Sequence, residues 1–432
     1  MPAAQHARAR ATTAWAAPST DRPVRGQVRL PGSKSLTNRA LVLAALADGP
    51  STISQPLRAR DTDLMAAALG VLGAAVTGGA GAWHVVPGPL ATQPVEVDCG
   101  LAGTVARFLP PVAALGNAPV RFVGDARMSQ RPLGPLLGAL RTIGAQADTD
   151  AIPVTVRGPA RGGSVKVDAS TSSQLVSGLL LAAPLLPDGL DLRHIGPPVP
   201  SSHHLAMTLT MLRACGTEVD DTEPDRWRVR PGPIHAYDWT IEPDLSSASA
   251  FLAAAAATGG EVTIPDWPDV TDQPGAALPD LLAAMGCTAA REAGALTVRG
   301  PDALNGLDAD LRDVPELALT LAALATLART PSRLTGIGHL RLQESDRLAA
   351  IATELGRLGA RIEVLDTGGL AITPAPLKAP ADVVLDPHAD HRLAMAYAVV
   401  GLVVPGVRID DIATTGKTVP GFAGIWERLV RP

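Results

Sequence analysis

A pattern of roughly 70 residues recurs six times along this chain and constrains its fold more than any other feature. Each copy has a polar start, an Ala/Leu-rich helix, a glycine turn and a β-branched strand, as in SSASAFLAAAAATGGEVTI from Ser246. Marker residues at the six helix starts recur at this near-constant interval; they are Ser35, Thr104, Ser173, Ser247, Glu316 and His391. Such periodicity predicts an array of similar supersecondary units.

A second series of glycines supports the same period. A further helix in each copy ends near a glycine, and these glycines are Gly73, Gly144, Gly216, Gly286 and Gly359. Glycine just beyond a helix is the usual stop signal. The sixth copy is shortened and closes on GFAGIWERLV. A chain of 432 residues exceeds one ordinary core, so we predict three units in each of two domains, with a boundary near residues 235–244.

Composition excludes several classes of protein. The net charge is −5 and aromatic residues are only 3%, which speaks against nucleic-acid partners. The three cysteines, Cys99, Cys215 and Cys287, are far apart, which fits a reducing cytoplasm. No window of 18 uninterrupted apolar residues occurs, so no membrane partner is expected. Residues 1–22 have Arg8 and Arg10 but lack the apolar run of a signal peptide, and we predict a disordered extension there.

Three of the helix starts carry hydroxyl or amide side chains, and two of them also carry cations. The first copy has Lys34, Ser35 and Arg39; the second has Gly103, Thr104 and Arg107; the third has Ser172, Ser173 and Gln174. Free backbone N–H groups at a helix start bind anions. Serine and threonine are also ordinary helix caps. The residues alone leave both interpretations open.

Six short motifs carry a resemblance to a known family. PGSKSLTNR, LAGTVAR, RMSQRPLG, SSQ, LQESDR and DHRLAM occur in the order found in 5-enolpyruvylshikimate-3-phosphate synthases, and the resemblance covers roughly residues 23–430. It implies an α/β fold, a two-domain inverse α/β barrel of six βαβαββ repeats with three per domain. One domain would comprise residues 31–240, and the other residues 23–30 plus 241–432.

The resemblance also implies an activity. Enzymes of this family transfer the enolpyruvyl group of phosphoenolpyruvate to the 5-hydroxyl of shikimate 3-phosphate, on the shikimate pathway to chorismate and the aromatic amino acids. The reaction is an addition followed by an elimination through a tetrahedral intermediate, and phosphate leaves. The resemblance implies no metal and no organic cofactor. We expect a cytoplasmic monomer whose partners are these two small-molecule substrates.

Motif positions carry the family's binding residues over to this chain. Those implied for shikimate 3-phosphate are Lys34, Ser35, Arg39, Ser172, Ser173, Gln174, Ser201, Glu316 and Gln343. Those implied for phosphoenolpyruvate are Lys34, Gly103, Thr104, Arg131, Gln174, Arg347, Arg392 and Lys417. Arginine suits both carboxylate and phosphate because its planar fork donates two hydrogen bonds. Any single arginine is otherwise a solvated surface charge, and Ser201 otherwise a simple helix cap.

The same resemblance implies three catalytic residues. Glu316 is the expected proton acceptor from the hydroxyl, although a carboxylate at a helix start can merely favour the helix dipole. Glu344 is the expected proton donor to the methylene carbon, and Lys34 is expected between both substrates. Supporting roles fall to Arg107, His339, Asp346, Asp390 and His391. Gln343 departs from the family pattern, which has Lys or His there, and Arg341 or His339 are the neighbours that could replace that cation.

Three alternatives compete with this interpretation. The sister enzyme that transfers enolpyruvyl to UDP-N-acetylglucosamine has Asn after the first-motif Lys, where this chain has Ser35. It usually has a reactive Cys, or Asp in some members, in a loop that here has no Cys but does contain Asp125. A non-catalytic anion-binding protein on this fold would not need Glu316 or Glu344. RNA-end processing on a related fold conflicts with the charge balance.

Overall fold

The computed structural model describes residues 14–79 and 81–431. These residues form two compact units. We call residues 32–242 the inserted unit, and residues 14–31 with 243–431 the flanking unit. The chain passes from one unit to the other between Pro31 and Gly32 and again between Glu242 and Pro243.

Two helices alternate in every copy of the repeat. The helices of the described residues are α1 (Lys34–Leu46), α2 (Arg60–Leu72), α3 (Gly103–Ala113), α4 (Gly134–Thr142), α5 (Gln174–Ala182), α6 (Ser202–Ala214), α7 (Leu245–Thr258), α8 (Leu278–Ala284), α9 (Ala318–Thr326), α10 (Arg347–Gly356), α11 (His391–Val403) and α12 (Phe422–Val430). Each predicted marker residue lies at or close to the start of an odd-numbered helix. The glycines of the second series follow even-numbered helices at positive φ, for example Gly73 at 124° and Gly216 at 78°. The six-repeat α/β architecture is thus confirmed.

Five sheets of one design accompany these helices. The strands are β1 (Trp15–Ala16), β2 (Arg25–Gln27), β3 (Ser51–Ser54), β4 (Ala75–Gly78), β5 (Ala82–Val86), β6 (Val95–Asp98), β7 (Val120–Val123), β8 (Gln146–Ala147), β9 (Val154–Arg157), β10 (Gly163–Val167), β11 (Leu190–His194), β12 (Val219–Asp220), β13 (Arg226–Val229), β14 (Trp239–Thr240), β15 (Glu261–Ile264), β16 (Thr288–Glu292), β17 (Ala295–Arg299), β18 (Asp308–Asp310), β19 (Ser332–Thr335), β20 (Arg361–Leu365), β21 (Gly369–Thr373) and β22 (Arg408–Ile409). Each four-stranded sheet has a parallel pair followed by two antiparallel strands, as in the order β6–β7–β9–β8.

Two strands pair with a repeat other than the one that follows them along the chain. Strand β2 comes before α1 but pairs in parallel with β15, in the flanking unit. Strand β14 comes before α7 but pairs in parallel with β3, in the inserted unit. Each supplies the first strand of a βαβαββ repeat whose remaining elements lie elsewhere in the sequence. This exchange explains why the division of the chain falls at residues 31/32 and 242/243.

The shortened sixth copy of the repeat pairs with β1, a strand near the N-terminus. Strand β22 pairs antiparallel with β1, and Leu385 forms a parallel bridge to Ile409 on the other side. The Trp15 indole N–H also donates to Glu427 at 2.8 Å. At residues 14–22 the structure therefore differs from the predicted disordered extension, because β1 pairs with a strand of the last copy that would otherwise lack this partner. Residues 1–13 of that prediction lie outside the described residues.

The odd-numbered helices form the interior of each unit. Every residue of α3 and of α9 is buried, and so are most residues of α7 and α11. The small side chains allow close approach: a Cβ on Gly178 of α5 would lie 2.1 Å from the Arg107 carbonyl oxygen of α3. Alternating burial along strands such as β9 leaves one sheet face exposed. In the described part of the chain, no helix is both long and apolar enough to cross a membrane.

Candidate active site

The start of α1 places Lys34 and Ser35 beside two residues that the sequence analysis missed. The Lys34 ammonium lies 3.5 Å from the carboxylate of Asp61, which is 3% exposed at the start of α2. The Ser35 hydroxyl oxygen lies 3.3 Å from Nε2 of His204, on α6. The only sequence signals were an acidic first turn in RDTDL and a histidine pair in PSSHHLAM. Neither signal distinguishes a site residue from an ordinary helix start.

Arg39 is 1% exposed and ties three helices together. Its guanidinium donates to the Thr208 hydroxyl at 2.8 Å, to the His204 carbonyl at 3.0 Å and to the Ser177 hydroxyl at 3.4 Å. The same group lies 5.2 Å from the centre of the Phe108 ring. Burial lowers the pKa of Arg39 to about 9, so the side chain is still charged at neutral pH. Arg39 thus holds α1 against α5 and α6, and its contact with shikimate 3-phosphate stays a prediction.

Two guanidinium groups converge on Gly103, the first residue of α3. A Cβ there would lie 2.7 Å from Nη1 of Arg107 and 2.8 Å from Nη2 of Arg131. Arg107 and Arg131 are 3% and 6% exposed. Arg131 also donates to the Leu101 carbonyl at 3.2 Å, just before the helix. The N-cap position of α3 is Ala102, whose side chain cannot cap, so the start of α3 combines helix N–H groups with two buried cations.

Hydrogen bonds join the starts of the three interior helices of the inserted unit. Asn38 of α1 donates to the Thr104 hydroxyl of α3 at 2.9 Å. Arg107 of α3 donates to Oε1 of Gln174 at 3.0 Å, where α5 begins. The predicted residues of all three copies are therefore brought to one place. Sequence spacing alone did not show this, because a whole repeat separates each start from the next.

The serines of the third copy lie at the same end of the unit. Ser172 and Ser173 precede α5 and are 9% and 4% exposed. Ser201 precedes α6 with φ 57° and ψ 53°, a left-handed conformation that is uncommon for a residue other than glycine. It is 7% exposed. Backbone strain of this kind clusters at ligand-binding positions, where surrounding structure maintains it.

In the flanking unit, a buried network surrounds Arg347 at the start of α10. Its Nε donates to Asp390 at 2.7 Å and its Nη2 to Glu344 at 2.9 Å. Lys417, at the end of the 3₁₀ turn Ile412–Lys417, donates to the other oxygen of Glu344 at 2.9 Å. Burial acts to lower the pKa of Arg347, but the charges of Asp390 and Glu344 outweigh it and the pKa is raised. The network therefore holds two cations and two carboxylates in fixed positions.

Asp390 and Asp346 also act as helix caps. Asp390 is 0% exposed and accepts from the backbone N–H of Arg392, the second residue of α11, at 3.0 Å. Asp346 accepts from the N–H of Ala349 at 3.1 Å. His391 is 1% exposed, with Nδ1 3.7 Å from Asp390. Asp390 and Asp346 thus fix the starts of α11 and α10, and the predicted supporting roles of these residues stay predictions.

Glu316 lies in the 3₁₀ turn Pro315–Leu317 before α9 and is half-buried. Arg392 donates to its carbonyl oxygen at 2.8 Å. Burial lowers the pKa of Arg392, and the charge of Arg347 lowers it further. Charge interactions with Glu316 also act on Arg347, Arg392 and His339, so its carboxylate lies near all three.

Neither neighbour of Gln343 restores the cation that the family pattern has there. Burial lowers the pKa of His339 below its usual range, despite the charge of Glu316, so the ring is neutral at pH 7. Arg341 is exposed and donates to Asp346 at 3.5 Å. The charge balance around Glu316 therefore depends on Arg347 and Arg392.

The six-repeat architecture, with cations, hydroxyls and carboxylates at the helix starts, agrees with the enolpyruvyl transferase class that the sequence motifs predict. A family model described as EPSP synthase (3-phosphoshikimate 1-carboxyvinyltransferase) matches residues 18–426. The chain belongs to this family, and it has the family's activity on the shikimate pathway.

Solved structures share the fold. A structure of EPSP synthase from Acinetobacter baumannii superposes with a TM-score of 0.77 at 23% identity, covering 96% of this chain and 97% of that one. A second structure of EPSP synthase from the same organism gives 0.76 at 22% identity, covering 95% and 97%. The family model therefore confirms the predicted family and activity, and the solved structures confirm the fold.

Proposed function

We propose that polar and charged residues of both the inserted unit and the flanking unit bind the substrates of enolpyruvyl transfer. In the inserted unit, Ser35, Ser172, Ser173 and Ser201 bind the phosphate and hydroxyls of shikimate 3-phosphate, and Gln174 adjoins both substrates. Arg39 holds the helices that present these groups. Lys34, Gly103, Thr104 and Arg131 bind phosphoenolpyruvate from this unit, supported by Arg107. In the flanking unit, Arg347, Arg392 and Lys417 bind the phosphate and carboxylate of phosphoenolpyruvate, while Gln343 contacts shikimate 3-phosphate.

The observation that carries this proposal is the pair of carboxylates in unlike surroundings. Glu344 is 9% exposed and lies 2.9 Å from both Lys417 and Arg347, whereas Glu316 is half-buried in a turn. Two carboxyl groups held in different environments are the usual arrangement for separate acid and base roles. Glu316 removes the proton of the attacking 5-hydroxyl. Glu344 exchanges a proton with the methylene carbon of phosphoenolpyruvate.

The counter-ions of Glu344 explain how a carboxylate becomes an acid. Before substrate binds, Lys417 and Arg347 favour the ionised form of Glu344. The phosphate and carboxylate of phosphoenolpyruvate compete for the same two cations. Glu344 then loses part of its charge compensation, which favours its protonation at the moment when a donor is needed.

In this proposal the reaction proceeds by an addition and then an elimination. The 5-oxygen of shikimate 3-phosphate bonds to C2 of phosphoenolpyruvate, its proton passes to Glu316, and C3 gains the proton of Glu344. In the elimination, C3 returns a proton to Glu344, the C2=C3 double bond re-forms, the C2–O bond to phosphate breaks, and the proton held by Glu316 passes to the departing phosphate. Fixed cations stabilise the charge that develops on the departing phosphate.

A phosphate-release assay tests the assignment. The purified protein should release phosphate from phosphoenolpyruvate only when shikimate 3-phosphate is present. UDP-N-acetylglucosamine in its place should give none. Folded protein without shikimate-dependent release would refute the proposed function.

Lys34→Arg keeps the charge but should lower kcat/KM by about 10²-fold, because an ammonium is a compact point charge that can lie between two anionic substrates, whereas a guanidinium is a rigid planar fork. Stability in chemical denaturation should change little, since the side chain remains 17% exposed and still faces Asp61. The control is Lys378→Arg, on the exposed surface of the flanking unit. Normal turnover of the Lys34 variant would show that charge alone matters there.

Gly103→Ala should raise the KM for phosphoenolpyruvate by about tenfold, since the new methyl group must displace both guanidinium groups. The backbone of Gly103 is not in the left-handed region, so alanine fits the helix without strain. The KM for shikimate 3-phosphate should therefore stay within a factor of about two. Gly138→Ala is a suitable control, because a Cβ at that helical position meets nothing within 4 Å. Equal shifts in both KM values would contradict this assignment.

We also infer that the enzyme works as a cytoplasmic monomer, without nucleic acid or membrane partners. The three cysteines are buried free thiols, which a reducing compartment preserves. Light scattering after size exclusion should give the mass of one chain, 44.3 kDa. A mass of two chains at assay concentrations would overturn this inference.

A further inference from the structure

A cavity of about 500 Å³ lies on the sheet β10–β11–β13–β12 of the inserted unit. Its lining includes Thr142, Ser164, Lys166, Asp191, Arg193 and Arg226. None of these residues belongs to the active site described above. The volume falls in the range typical of small-molecule sites.

Two cations face each other directly across this cavity's strands. Lys166 of β10 is the register partner of Arg193 of β11, and both side chains are exposed. In three other sheets the parallel pair instead opposes unlike charges. Those pairs are Glu96 with Arg121, Arg25 with Glu261, and Asp308 with Arg333. Like charges directly opposite each other are destabilising, so the third copy of the repeat departs from the pattern of these other sheets at a cost in stability.

The carboxylates near this pair are already engaged. Asp191 accepts from Nε and Nη2 of Arg226 at 2.8 and 2.7 Å. Glu223 accepts from Arg226 at 2.7 Å and from Arg228 at 2.9 Å. These hydrogen bonds lower the pKa of both acids, which therefore stay ionised and paired. Across the part of the chain that the structure describes, no carboxylate lies within ion-pair distance of Lys166 or Arg193, although the charge of Arg193 acts on Glu223 from beyond that distance.

We propose that this cavity is a second anion site, which binds the phosphate group of a small metabolite between Lys166 and Arg193. The arginine fork and the lysine point charge are complementary donors for a phosphate dianion. The hydroxyls of Thr142 and Ser164 line the same space but already bond the Gly138 carbonyl and Asp191, so the two cations supply the donors for the phosphate. The cavity is larger than a phosphate ion, so it accommodates a phosphomonoester with its organic part. The site is independent of enolpyruvyl transfer.

The lysine content of the chain allows a local test. The sequence has four lysines, and Lys378 is an exposed one outside this cavity. We would acetylate the full-length protein with a limiting amine-reactive ester and quantify each lysine by peptide mass spectrometry. Inorganic phosphate, glucose 6-phosphate and chloride would be compared at equal ionic strength. Both phosphates should slow acetylation of Lys166 by about threefold or more relative to chloride, while Lys378 is unaffected.

Arg193→Glu provides the decisive variant, because it restores the opposed unlike charges seen in the other sheets and should fold normally. The ratio of Lys166 acetylation with and without phosphate should become about one in this variant. The matched control is Arg291→Glu, the same charge change on the exposed strand β16, which should keep the protection. Stronger protection by glucose 6-phosphate identifies a phosphomonoester as the ligand, and equal protection identifies phosphate itself. Equal slowing at Lys166 and Lys378, or protection that survives Arg193→Glu, would overturn the proposal.

Discussion

Replacing Arg347 with methionine should lower the free energy of unfolding of the flanking unit by about 3–5 kcal/mol, the usual cost of removing one partner of a buried ion pair. The guanidinium is 5% exposed and neutralises Glu344 and Asp390, which are 9% and 0% exposed. Methionine keeps the volume but leaves two buried carboxylates with less compensation. Chemical denaturation combined with amide hydrogen exchange at residues 344–356 and 390–403 measures the change.

Arg341→Met is the matched control for this result. Arg341 faces Asp346 at 3.5 Å with 43% of its side chain exposed, so its removal should cost less than about 1 kcal/mol. If the two variants unfold at the same denaturant concentration, the buried network does not stabilise the unit. If amide protection from hydrogen exchange were lost throughout residues 32–242 instead, the destabilisation would lie in the inserted unit, which contradicts the prediction.

Glu316→Gln should lower kcat by about 10³-fold while the dissociation constants of both substrates change little. Glutamine has the same shape and can still donate and accept hydrogen bonds, but it cannot remove the proton of the 5-hydroxyl. The hydrogen bond from Arg392 goes to the backbone carbonyl of residue 316, so the turn should persist. Single-turnover kinetics together with equilibrium titration of each substrate separates the chemical step from binding.

Glu363→Gln is the control for this second prediction, since Glu363 is exposed on β20 of the same unit. Its kcat should match that of the parent enzyme. Turnover near the parent rate in Glu316→Gln would show that the carboxylate serves the helix start rather than the proton transfer. A large loss of substrate affinity would indicate a binding role instead.

Much of the fold was predictable from the sequence because it repeats. The helix starts at Ser35, Thr104 and Ser173 recur at one interval, and glycines such as Gly144 end the second helices at positive φ. These signals are local, and chain geometry forces the same local structure each time. The exchange of β2 and β14 between units depends on which sheet has a free edge, and periodicity does not show that.

In the candidate site, too, residues in local motifs were predictable from the sequence, whereas residues placed by long-range packing were not. Motif order predicted Glu344 and Arg347 in LQESDR and Arg392 in DHRLAM, since these residues stand within recognisable stretches. Glu316 and Lys417 came only from the wider resemblance to the family. Asp61 and His204 were not predicted, because each lies in the second helix of its repeat, where the local sequence resembles that of an ordinary helix start. Their partners, Lys34 and Ser35, lie in a different helix, far away along the chain. Contacts at such separations arise only when the interior helices pack.

The sequence by itself determined the six-fold repeat, the α/β class, the family and the identity of the charged groups in the motifs. Only the tertiary structure decided what each charge faces. It buried Arg39 among helices, set Glu344 between Lys417 and Arg347, and ordered residues 14–22 beside the last copy of the repeat. The physical reason is that periodicity and capping act between near neighbours, whereas burial and ion pairing depend on distances that exist only after the chain has packed.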